Sequence, residues 1–113
     1  MTREKKGRSF MQITDIKVRK LMEEGRLRAV VSVTVGDEIA IHDLTVIEGP
    51  QRLFVAMPSR RETGGVFRDI VHPITPSARK QLEDAVLDAY RREKQRAETI
   101  ARMPYGDYWD SHF

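Results

Sequence analysis

The 113 residues include no cysteine, which excludes disulfides and thiolate chemistry and fits a reducing compartment. No apolar run approaches the ~18 residues a membrane helix requires. No secretory hydrophobic stretch is found either, so a cytoplasmic chain without membrane contact is expected. Histidine is scarce. The three, at 42, 72 and 112, lack metal-ligand spacing such as a pair at i, i+4, so no metal site is expected. No serine sits in a G-x-S-x-G elbow. His42 and Asp43 are neighbours, but adjacent strand residues point to opposite faces and do not readily pair as base and orienting acid. Structural roles, pinning a bulge or making a dimer contact, suit them better, and the expectation is of no enzyme, no cofactor and no small-molecule substrate. An excess of one charge is also missing from most of the chain. Four of the 20 basic side chains but only one of the 17 acidic ones fall in residues 1–10, leaving 16 of each in residues 11–113. Net charge therefore gives the domain no pull on nucleic acid; only the placement of its charges can.

What is present is a succession of short strand patterns. Residues 12–21 carry Ile13, Ile16 and Val18 with a phase slip near Asp15 that predicts a bulge. Residues 26–35 alternate most clearly, with Leu27, Ala29, Val31, Val33 and Val35 against Arg28, Ser32 and Thr34. Residues 38–47 change phase across His42-Asp43, again a bulge signal. Residues 52–57 form a fourth run and 66–71 a fifth, expected to close a hairpin with the fourth. Short connections between successive strands predict an antiparallel meander. Thr75 as N-cap and Pro76 at the first helical position then predict a helix over 76–102. Its apolar stripe, Ala78, Leu82, Ala85, Val86, Ala89 and Tyr90, has to cover a sheet face, and the fold class is α+β. Beyond Tyr90 the stripe thins, leaving a projecting half that suits a partner subunit or a nucleic-acid backbone, or is a frayed, salt-bridged end. The chain divides into a basic extension (1–10) expected to be disordered, a single domain (11–103) and an aromatic tail (104–113).

Residues 57–67 form the one loop that pairs adjacent guanidinium groups, Arg60 and Arg61, with glycines, Gly64 and Gly65. Guanidinium groups fork onto phosphate or carboxylate, and glycines let backbone N–H groups turn toward an anion. The same arginines would also keep a hairpin soluble. Lys17, Arg19, Arg26 and Arg28 cluster at the first hairpin; they form a basic patch if Lys17 and Arg19 share a side with Arg28, and otherwise a solvated face.

Phe54-Val55-Ala56-Met57-Pro58-Ser59, the Arg60-Arg61 pair, Gly65-Val66-Phe67-Arg68-Asp69-Ile70 and His72-Pro73-Ile74 together resemble the stage V sporulation protein G (SpoVG) family. Arg26-Leu27-Arg28-Ala29 and His42-Asp43-Leu44-Thr45-Val46-Ile47 extend the resemblance over residues 11–92. It implies a small cytosolic, dimeric bacterial regulator of septation, sporulation or gene expression that binds DNA and RNA. Arg60 and Arg61 match the family's basic pair and Arg68 its Phe-Arg-Asp arginine; Lys80, Arg91 and Arg92 on the helix extend the candidate track. The alternative is a non-enzymatic interaction module acting through a homodimer. Tyr105, Tyr108, Trp109 and Phe113 in the tail suit either stacking on unpaired bases or docking in a groove, and Asp107 and Asp110 disfavour the former.

Overall fold

The computed structural model describes residues 11–103. The basic extension and the aromatic tail lie outside the described residues. Strands β1 (Ile13–Leu21), β2 (Leu27–Val35), β3 (Ile39–Glu48) and β4 (Leu53–Ala56) form one antiparallel sheet in chain order. The meander follows from tight turns. At the β2–β3 turn, Gly36 and Asp37 both take left-handed backbone (φ 61° and 57°), and the Glu38 N–H closes on the Val35 carbonyl at 3.0 Å. Alternation in β2 sends Ala29, Val31 and Val33 to one side, where they meet Leu44 and Val46 of β3 and Val55 of β4.

Helix α1 (Pro76–Arg102) crosses that side and touches all four strands. Thr75 Oγ1 accepts the Ala78 N–H at 3.1 Å, and Pro76 opens the helix where its missing donor costs nothing. Leu82, Val86, Leu87 and Tyr90 are buried, each contributing roughly 1.5–3 kcal/mol. Leu87 lies outside the expected stripe. A helix laid across four strands buries a wider arc than one row at i, i+4 would. Two polar clamps fix the helix in place. Gln81 donates to the Met11 carbonyl at 2.6 Å and accepts the Met11 N–H at 3.1 Å. Glu83 accepts the outward N–H of Val55 on edge strand β4 at 3.3 Å, and an Arg52 guanidinium N–H at 3.4 Å. Beyond Tyr90 the helix is largely exposed, as its sparse apolar content predicts.

Both expected bulges occur. The β1–β2 register shifts between Ile13 and Asp15, and again between Val18 and Lys20. In β3, His42 and Asp43 together oppose Ser32, and Asp43 adopts φ 67°.

The fifth run departs from expectation. Residues 66–71 do not close a hairpin with β4, whose ladder partner is β3. Pro58 interrupts the chain after β4, and the sequence beyond it pairs with itself. Strand β5 (Ser59–Arg61) and strand β6 (Phe67–Asp69) make a separate two-stranded ribbon around a 3-10 turn, Thr63–Gly65. Proline has no N–H to donate, so the ribbon's last rung is the single bond from the Ile70 N–H to the Pro58 carbonyl, 2.8 Å.

Candidate functional site

The ribbon is where the arginines gather. Its register pairs Ser59 with Asp69, Arg60 with Arg68 and Arg61 with Phe67. Directly opposed residues share a face and neighbours alternate. Arg60 and Arg68 therefore occupy one face together, whereas Arg61 lies on the other face beside Phe67. The adjacent Arg60 and Arg61 are thus separated by the pleat, and the register sets Arg60 against Arg68 across the strands. All three side chains are exposed.

Like charges set opposite each other repel. Glu62, on the same face, relieves part of this: Arg68 Nε donates to Glu62 Oε1 at 2.9 Å. Arg60 has no such counterion among the described residues. The turn is shaped for its neighbour, Arg61. Gly64 and Gly65 take φ 89° and 83°, and a Cβ on Gly65 would come within 3.3 Å of Arg61 Nη2. The Arg61 guanidinium thus lies close to Gly65, and the positive φ at Gly64 and Gly65 is what favours glycine in this turn. The glycines shape the hairpin. The ribbon also carries an apolar surface: Val66, Phe67, Ile70 and Ile74 are 61%, 66%, 68% and 85% exposed. Sequence reasoning placed Val66, Phe67 and Ile70 in a fifth strand of the meander without singling out their exposure. The signal available was their clustering, since a short ribbon with no alternation has no interior in which to bury them.

The helix residues are placed differently. Lys80 Nζ donates to Asp84 at 2.7 Å, and Arg92 pairs with Asp88 at 3.1 Å, so the row Lys80, Asp84, Asp88 and Arg92 closes on itself as two i, i+4 ion pairs. The hydrogen bond to Asp84, and the charge of that carboxylate, raise Lys80 above the ordinary lysine value. Arg91 is exposed and has no ion pair among the described residues. Lys80 and Arg92 are locally neutralised, as Arg68 is by Glu62, whereas Arg60, Arg61 and Arg91 have no ion pair among the described residues.

The hairpin cluster does not make a shared patch. Lys17 stands opposite Ser32 on the sheet face away from the helix, and Arg19 Nε donates to Ser32 Oγ at 3.2 Å. Arg28 sits in a β2 irregularity that turns it toward Tyr90 and Lys94 of the helix. There it donates to the Glu23 and Gly25 carbonyls at 3.3 and 3.1 Å and pairs with Glu48. His42 Nδ1 lies 2.9 Å from Ser32 Oγ, so the bulge holds a side-chain relay from Arg19 through Ser32 to His42.

A family model described as SpoVG matches residues 11–92. The chain is 52% identical over 82 residues to a protein of Lachnospira eligens, covering 73% of this chain and 93% of that one. It is 51% identical over 80 residues to a relative from Desulforudis audaxviator, 71% and 91% of the two chains. Against an Exiguobacterium sibiricum relative the identity is 49% over 88 residues, 78% and 85% of the two. All three are provisionally named septation protein SpoVG.

Proposed function

This chain belongs to the SpoVG family, and from that premise we propose that it is a nucleic-acid-binding bacterial regulator acting in septation, sporulation or gene expression. In this reading it is a cytoplasmic homodimer with no catalytic role, and it contacts DNA and RNA through the β5–β6 ribbon. The observation that carries the reading is the Arg60–Arg68 pair: two exposed arginines at directly opposed register positions on a ribbon that lies outside the main sheet. Such a pair is relieved by an anion lying between its members, and a phosphodiester backbone supplies one at every nucleotide. Arg61 adds a third cation at the same turn, and Lys80, Arg91 and Arg92 extend the track more weakly. The septation link rests on the relatives' name.

The test is affinity for DNA and RNA of the full chain as a function of salt, beside Arg60→Ala, Arg68→Ala and a form lacking residues 1–10. Loss of binding and of salt slope in the arginine variants supports the ribbon. Loss on removing residues 1–10 alone assigns binding to the basic extension.

One observation favours the second reading, an interaction module. The sheet face away from the helix carries Val30, Ile47 and Phe54, only half-buried, and no described helix covers it. A second copy placed there would bury them.

A further inference from the structure

Resting on the ribbon as the contact with nucleic acid, we infer that Phe67 is a stacking platform for an unpaired base, so that this site selects single-stranded RNA or DNA over duplex. Phe67 is 66% exposed although it stands in a strand, and no core is formed by it. The register sets it directly opposite Arg61, whose guanidinium lies close to Gly65 at the adjoining turn. A phenyl ring and a planar guanidinium on one face are two stacking surfaces of the kind that single-strand binders present to bases.

The charges on the two faces differ. On the Phe67 face Asp69, two residues along, offsets Arg61. On the opposite face Arg60 and Arg68 outnumber Glu62, which makes that face the more attractive to phosphate. A strand that follows the ribbon's rim places its phosphates on the arginine pair and turns a base over onto Phe67. A duplex cannot do this without rupture, because each base has both π-faces occupied by its neighbours and unstacking one costs a few kcal/mol. Duplex therefore keeps the phosphate contacts and forgoes the ring.

The experiment measures anisotropy of labelled single-stranded and duplex oligonucleotides of equal length, at one salt concentration, against the full chain. Phe67→Leu keeps an apolar side chain of similar bulk and removes the π-face. The expected result is a roughly five- to hundredfold loss on the single strand with duplex affinity unchanged, and recovery in Phe67→Trp. On a Trp109→Phe background, the indole of Phe67→Trp is expected to be quenched by the single strand. Equal losses on both oligonucleotides, or no loss on the single strand while Arg60→Ala/Arg68→Ala still weakens it, overturn the inference. So does a lower solution mass of Phe67→Leu, which would make the ring a contact with a second copy. If the double arginine change weakens neither oligonucleotide, the ribbon reading itself fails, whatever Phe67 does.

Discussion

Glu62 accepts a hydrogen bond from Arg68 at 2.9 Å, so one of the two arginines that confront each other across the ribbon is neutralised while the other, Arg60, is left exposed to solvent. On the proposed reading, Glu62 is a built-in competitor for an incoming phosphate: Arg68 would have to exchange Glu62 for the ligand, and Arg60 would not.

It follows that Glu62→Gln tightens binding. Removing an exposed carboxylate partner is worth about two- to fivefold in affinity. Titrations of the variant and the parent at one salt concentration measure it, and a weakening would mean that Glu62 orients Arg68 for the ligand.

Arg60→Ala should lower the salt slope for B-DNA by about 0.9, the release of one phosphate's counterion. Its thermal midpoint should not fall, because the change relieves a like-charge pair at an exposed site. A slope equal to the parent's over 50–200 mM salt would remove Arg60 from the contact.

Helix packing makes a separate prediction. Leu87 is 6% exposed, and Leu87→Ala should cost about 2–5 kcal/mol in urea unfolding, whereas Thr75→Ala, which deletes the N-cap, should cost about 1 kcal/mol. A loss of only a few tenths at Leu87 would mean that the helix does not seat on the sheet as described.

Self-association through the open sheet face predicts that Phe54→Glu halves the solution mass. Phe54 leans on Gly49, with ring carbons 3.0 and 3.2 Å from where a Cβ would stand there, and remains half-exposed on that face. Sedimentation equilibrium reads the outcome directly.

Acid pH acts at the exposed end of the helix. The Arg96 hydrogen bond holds the Glu93 carboxyl below its ordinary value, against the opposing effect of desolvation and with the help of the Arg96 charge. A carboxylate depressed in the folded state stabilises it above the unfolded pKa and loses that contribution as pH falls through the folded value. Carboxyl NMR titration of Arg96→Gln should find Glu93 moved back up.

Much of this was legible in the residues. Strict alternation fixed β2, because Ala29, Val31 and Val33 had a single side to bury, and the phase change at His42-Asp43 announced its bulge. Thr75-Pro76 marked the helix start by chemistry that acts within one turn. The ribbon was harder. Pro58 told where β4 stops, but which strand residues 66–71 would join depends on backbone hydrogen bonds between distant segments. The two-residue period did contain the separation of Arg60 from Arg61; it becomes visible once both are placed in a strand and not a loop. Leu87 escaped because helix burial depends on the crossing angle, which no single-helix pattern encodes.

Pro58 has one more consequence. With a single rung joining its base and no strand of the main sheet in register with it, the ribbon is a cooperative unit of its own, and its amides should exchange by local opening at a free energy below that of global unfolding. If the ribbon is the contact surface proposed above, substitutions between Ser59 and Asp69 should change recognition while the melting of the β-sheet and helix goes on unchanged.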